Sequence, residues 1–227
     1  MRASLLRRVR PAAFLVMLFM SCREAHGQDF LNLVIPEFKV ENATLEQAIT
    51  ELHKWGIPVC LEKVPSDEQV TFSIHRKNAS VMDLLNALVA VDMRYSWERF
   101  RSMTPSLPIL EILNVFPKGA KQDPENLMNV KVSHLELKDV DPSEAIRRIY
   151  HLIPELRERY WKLVPPGGIP REISPFPPPR NRFLISLELH DVTVRDVLNE
   201  IALRSGGVCW IYEASKSPPR YTWRTFR

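Results

Sequence analysis

The stretch Asn42-Ala43-Thr44-Leu45 opens a pattern that the chain uses four times and that decides its fold. The third residue of the pattern is Thr, Ser or Asp, and apolar residues follow it at four, five and eight positions. A short polar side chain before such spacing is typical of a helix N-terminus whose helix buries one face. The other three copies begin at Asn78, Asp139 and Asp191.

The pattern predicts four helices, each beginning directly after its third residue. The predicted helix N-caps are Thr44, Ser80, Asp141 and Thr193. Gln47 is placed to complete a capping box with Thr44, because a side chain at the third helical position reaches back to the cap. Alternating apolar residues, as at Val70, Phe72 and Ile74, predict half-buried strands beside these helices.

The order of predicted elements indicates an α+β protein made of two tandem domains. Residues 29–117 read as β-α-β-β-α-β-β, and residues 127–227 repeat that order, with Trp161 to Val164 interpreted as one of the strands. A helix stripe and a strand face hide each other only when they pack together. We therefore expect each domain to pack its helices on a mixed sheet of its own.

Two segments without periodicity separate these predicted elements. Residues 118–126 are polar and rich in turn-forming residues, so they are the predicted linker between the domains. Residues 164–180 contain seven prolines and are predicted to form an extended loop inserted in the second domain.

The N-terminus has the pattern of an export signal. Arginines precede an apolar run over residues 12–20, which is too short to span a bilayer, so residues 1–27 are predicted to be a signal peptide. Cleavage is expected between Gly27 and Gln28. The alternative is a lipobox-like cut that leaves a lipidated Cys22 and anchors the chain in the envelope. No later apolar stretch is long enough to cross a membrane.

The charge distribution argues against a nucleic-acid partner. Residues 1–27 carry five Arg and one Glu, a net +4, which equals the formal net charge of the whole chain. The remaining residues therefore balance to zero. A nucleic-acid binder needs an excess of Lys and Arg to displace counterions from phosphates.

The two cysteines of the predicted mature chain occupy matching places. Cys60 and Cys209 each follow the cap of their copy by sixteen residues. Equivalent places in separate domains would lie too far apart for a disulfide. We therefore expect two free, buried thiols that act as small apolar side chains.

The sequence carries no motif that assigns a reaction. The six histidines show no i, i+4 pair on a helix and no Cys neighbour at metal spacing, and no Gly-x-Ser-x-Gly elbow or phosphate-binding glycine loop occurs. No catalytic, cofactor-binding or metal-binding residue is predicted, and a small exported enzyme is the least favoured function. A carbohydrate or peptidoglycan binder is the stronger alternative, because Trp97, Trp161, Trp210 and Trp223 could stack on sugars.

The repeated pattern also resembles a known family. A strand, a short polar cap and a helix with regular apolar spacing, as in Phe38 to Leu61, look like the short N-terminal domain shared by secretins and TonB-dependent receptors. That resemblance implies a periplasmic module that docks on other envelope proteins and has no catalytic residues. The sequence shows neither a secretin pore domain nor a barrel, so pore formation and transport are not implied. The expected function is a non-enzymatic, exported protein-interaction module.

Overall fold

A computed structural model describes residues 29–64, 70–102, 111–163, 184–216 and 219–226 of the chain. The predicted signal peptide, with Cys22, Gly27 and Gln28, lies outside these residues. The proline-rich segment predicted over 164–180 lies outside them as well.

Four strand–helix units form the framework, and each contains one copy of the repeated pattern. In the N-terminal part, residues 29–117, they are β1 (Val34–Thr44) with α1 (Leu45–Lys54) and β3 (Thr71–Ser80) with α2 (Val81–Val91). In the C-terminal part, from residue 127 onward, they are β6 (Lys131–Val140) with α3 (Pro142–Arg147) and β7 (Ile185–Thr193) with α6 (Val194–Arg204). β1 pairs with β3, and β6 with β7, as antiparallel ribbons.

The four helices begin where the repeated pattern places their caps. The Thr44 and Thr193 hydroxyls each accept a hydrogen bond from the backbone N–H three residues later, and both caps form complete capping boxes. Ser80 and Asp141 accept the equivalent bond at α2 and α3. These bonds satisfy N–H groups that have no partner inside a helix.

The first residue of each copy turns the chain from strand to cap. The φ angles of Asn42, Asn78, Asp139 and Asp191 are 46°, 49°, 49° and 52°. Asn and Asp tolerate this left-handed conformation better than other residues with a Cβ atom. The conformation explains why the pattern begins with Asn or Asp in every copy.

Strands from both parts of the chain build one central sheet. Its order is β4 (Tyr95–Arg101), β5 (Glu111–Pro117), β2 (Val59–Glu62), β8 (Trp210–Lys216) and β9 (Pro219–Thr225). β2 lies between β5 and β8 and is parallel to both. This differs from the expectation of a separate sheet in each domain. All four residues of β2 are buried, as is typical of a central strand in parallel pairing whose two faces are both covered.

Two apolar clusters fill the molecule, and each draws mainly on one part of the chain. At the central sheet each part contributes side chains to the other part's cluster. Cys60 and Ile112, from the N-terminal part, belong to the C-terminal cluster, and Ile211, from the C-terminal part, belongs to the N-terminal cluster. The fold is thus an α+β arrangement of two repeated parts, joined by shared strands.

The C-terminal part contains a helix where a strand was expected. α4 (Ile149–Leu152) and α5 (Pro154–Leu163) follow α3, and residues 161–163 form the last turn of α5. The interpretation of Trp161 to Val164 as a strand was therefore wrong for residues 161–163, and Val164 lies outside the described residues. Proline is tolerated in the first turn of a helix, and Leu156 and Tyr160, four residues apart, bury one face of α5.

No helix within the described ranges is long and apolar enough to cross a membrane.

Candidate functional site

A cleft of about 440 Å³ lies at the carboxyl ends of the three parallel strands. The ends of β2 and β5 contribute Glu62, Lys63 and Pro117, and β8 and β9 contribute Tyr212 and Tyr221. Segment 118–126, the predicted linker, forms one wall. Ligands of open sheets with parallel strands bind at this edge, where loops leave the strand ends. Both parts of the chain therefore build this candidate site.

A buried ion pair lies beneath the cleft, and its glutamate, Glu62, lines it. Glu62 is 1% exposed and Arg195 is 5% exposed, and Arg195 Nη2 donates to Glu62 Oε2 at 2.8 Å. The Asn126 side-chain amide donates to the other carboxylate oxygen of Glu62, and Arg195 Nη1 donates to Asn129 Oδ1 at 2.7 Å. The pair ties the central sheet to α6 and to the chain that follows β5.

Two tyrosines of the cleft are held in the neutral phenol form. Burial raises the pKa of Tyr212 well above its usual value, and the nearby Glu62 charge adds to that effect. Burial, with a contribution from Glu125, raises the pKa of Tyr221 as well. A neutral phenol both donates and accepts hydrogen bonds, so the partly exposed Tyr221 suits ligand recognition rather than proton abstraction.

The mouth of the cleft carries both signs of charge. Lys63 Nζ lies 3.5 Å from Glu46 Oε2 and 3.2 Å from Glu213 Oε1, so two carboxylates already neutralise it. Lys118, Asp123 and Glu125 also line the cleft. A surface of mixed sign favours a ligand with polar and apolar groups over a polyanion.

The residues singled out as helix caps do not meet in this cleft. Thr44, Ser80, Asp141 and Thr193 sit at four separate helix starts and serve the backbone there.

The four tryptophans considered for sugar stacking are distributed between core and surface. Trp210 is fully buried, Trp223 is 6% exposed, and Trp161 is 49% exposed on α5. The Trp97 indole N–H donates to Asn86 Oδ1 at 2.9 Å. Because two of the four rings lie in the core, they cannot present a common stacking face.

The cysteine distance inferred from the repeat was wrong, although both thiols are free and buried. Cys60 and Cys209 are neighbours, because β2 and β8 lie side by side in the central sheet. Burial raises the pKa of the Cys209 thiol well above its usual value, and hydrogen bonding to Cys60 adds to that effect. The Cys209 thiol therefore remains protonated and reacts slowly.

Strand pairing also gathers a set of side chains that spacing along the chain did not suggest. His134, Glu188 and His190 meet on the exposed face of the β6–β7 ribbon. The absence of a metal site was inferred from local spacing, which cannot detect ligands on two strands. No spacing along the chain places His134 opposite His190, because their pairing depends on the register between two strands separated by a long segment.

Comparison with protein-family models, curated proteins and solved structures found no match for the chain.

Proposed function

We propose that the chain is a non-enzymatic, exported module that binds an extended segment of an envelope protein, as its resemblance to secretin and TonB-dependent receptor docking domains implies. The observation that carries this proposal is the cleft at the carboxyl ends of β2, β5 and β8, which both parts of the chain build.

The size and lining of the cleft favour a peptide segment. Its volume of about 440 Å³ falls within the roughly 300–1,000 Å³ typical of ligand sites. That space admits a few side chains of a partner, not a folded domain. Tyr221, which is partly exposed beside the buried Tyr212, offers aromatic surface with a polar tip, a side-chain type enriched at interfaces.

The polar groups of the cleft support binding over catalysis. A catalytic site needs a nucleophile or base with free hydrogen-bonding capacity. Glu62 is committed to Arg195 and Asn126, and Lys63 to two carboxylates. The raised pKa values of the two phenols remove them as bases at neutral pH.

Site-specific photocrosslinking in the native cells tests the proposal. A photoreactive residue at Lys118 or Glu125, both exposed on the cleft wall, should crosslink to one envelope protein. The same probe at Lys39, on the outer face of β1 with its side chain 54% exposed, serves as the matched control.

The test depends on where the photoreactive residue is placed as well as on whether an envelope protein is captured. Crosslinks that appear equally from Lys39 would refute the cleft as the docking site. Turnover of a substrate by the purified chain would refute the non-enzymatic assignment.

Export is tested separately by the mass of the protein recovered from the envelope fraction. A chain that begins at Gln28 supports the proposed signal peptide. A chain that begins at a lipid-modified Cys22 supports the anchored alternative, and one that retains residue 1 contradicts both.

A further inference from the structure

Two histidines and a glutamate from neighbouring strands meet on the exposed face of the β6–β7 ribbon. His134 is the cross-strand partner of His190, and Glu188 lies two residues before His190, on the same face. His134 Nε2 lies 3.5 Å, and His190 Nε2 lies 3.2 Å, from the same Oε1 atom of Glu188. The three ligand atoms all lie within 4.8 Å of one another.

We propose that this group, the His-Glu-His cluster, binds a zinc ion. Two imidazoles and a carboxylate form a common zinc donor set, and ligand atoms about 2.0–2.1 Å from a tetrahedral ion lie about 3.3 Å apart. Both separations between histidine and glutamate are close to that value. The fourth coordination position faces solvent and takes a water molecule.

The two imidazoles can reach an ion without moving the backbone. Their rings stack with centroids 4.6 Å apart and planes 19° apart, and their side chains are 50% and 61% exposed. Rotation of an exposed side chain about its own bonds adjusts the separation of the two ring nitrogens, while strand pairing holds the Cα atoms in place.

The local charges favour a cation at this position. Glu136 is the cross-strand partner of Glu188, and like charges directly opposite each other in a ribbon are destabilising. Lys138 Nζ lies 2.8 Å from Glu136 Oε1 and compensates that carboxylate. Glu188 forms ion pairs with the two histidines, and the Lys138 ammonium also acts on it, so a cation held by the three side chains adds to the relief of the repulsion between Glu136 and Glu188.

The β1–β3 ribbon supplies an internal comparison. Glu37 pairs across the strands with Lys77 as His134 pairs with His190, and His75 lies two residues before Lys77. His75 Nε2 contacts Glu37 Oε1 at 2.9 Å. In the β1–β3 ribbon the three positions of the cluster are thus occupied by Glu37, His75 and Lys77. A lysine ammonium has no lone pair to offer a metal.

Zinc titration of the full predicted mature chain, followed by calorimetry, tests the proposal. We expect one equivalent bound by the wild type. Removing a residue that only hydrogen-bonds to a metal ligand weakens metal sites by about 10–100-fold. His134→Ala and Glu188→Gln each change a proposed ligand itself, so each should weaken zinc binding at least tenfold. His190→Lys copies the β1–β3 arrangement and should abolish binding, whereas His75→Ala should leave it unchanged. Lys77→His should add a second equivalent.

Cobalt(II) distinguishes the cluster from the thiols. Binding without a thiolate-to-metal absorption band supports the His-Glu-His cluster, and a thiolate band assigns the metal to Cys60 and Cys209 and overturns the proposal. Zinc binding that is absent in the wild type, or unchanged by His190→Lys in a chain with wild-type circular dichroism, overturns it as well.

Discussion

At the scale of single residues, the left-handed Asn or Asp before each cap determines how a strand becomes a helix. Asn78, with φ of 49°, is exposed, so its side chain contributes little by burial. Replacing it with Ala should lower the free energy of unfolding by about 1 kcal/mol, because a Cβ atom without a compensating polar group disfavours this conformation. Urea denaturation followed by circular dichroism measures the change.

Two control variants isolate the backbone effect at this position. Asn78→Gly should cost less than Asn78→Ala, because glycine adopts positive φ readily. Lys77→Ala, at the exposed neighbour, should change stability by less than about 0.5 kcal/mol. Equal losses for the Ala and Gly variants would show that backbone strain is not the cause.

The ion pair beneath the cleft makes a second prediction at this scale. Arg195→Met leaves the Glu62 carboxylate buried without its partner, so it should cost about 3–5 kcal/mol of unfolding free energy. Adding Glu62→Leu should restore much of that loss, because an apolar pair has no charge to desolvate. Chemical denaturation of the single and double variants measures both steps.

Arg224→Met is the matched control for this pair. Its ion pair with Glu46 is partly exposed, with side chains 39% and 28% accessible, so its removal should cost less than about 1 kcal/mol. If the Arg195→Met/Glu62→Leu double variant is as unstable as Arg195→Met alone, the charge argument is contradicted and a packing role for the guanidinium is favoured.

At the scale of elements, the end of α1 carries a histidine that makes stability depend on pH. Burial lowers the pKa of His53 below its ordinary value of 6.5, and the backbone of Val59 lies in contact with its Nε2 atom. The unfolded chain therefore takes up the proton at higher pH than the folded chain. The stabilising contribution is complete above pH 6.5 and is lost as the pH falls toward the folded pKa.

His53→Gln removes this titration while keeping a polar side chain. We expect its unfolding free energy to fall less than that of the wild type between pH 7.5 and pH 5. Guanidinium denaturation at the two pH values provides the comparison. The same decrease in both proteins would mean that other groups carry the acid sensitivity.

The elements also show how far the sequence could predict this fold. The caps and their apolar spacing are local patterns, so the starts of α1, α2, α3 and α6 follow from them. The helical course of residues 154–163 was missed because a proline was interpreted as a helix end. The central sheet was missed because strand pairing across the two parts leaves only a faint local signal, the apolar run Val59-Cys60-Leu61.

The candidate site was even less accessible to sequence reasoning. The cleft depends on where β2, β5 and β8 end relative to one another, and the His-Glu-His cluster depends on the register of two strands separated by a long segment. Neither relation is encoded in spacing along the chain. The mixed charge and the burial of Trp210 likewise become visible only in three dimensions.

At the scale of the whole molecule, the shared sheet should make the two parts unfold together. Ile211, from the C-terminal part, is fully buried in the N-terminal apolar cluster. Ile211→Ala should therefore lower the free energy of unfolding by about 2–5 kcal/mol, and fluorescence and far-UV circular dichroism should still report one coincident transition. Two separate transitions in the wild type would show instead that the parts are independent.

The parallel seam between β2 and β8 also has a consequence for biosynthesis. Lys63 and Glu213, which bond beside the seam, are 150 residues apart. During translation β2 is complete long before β8 exists, so nascent chains carry an apolar strand with one uncovered backbone edge. Such edges recruit other strands, and distant pairings form slowly. We therefore expect newly made chains to be prone to aggregation until the last strands are synthesised, unless a chaperone covers that edge.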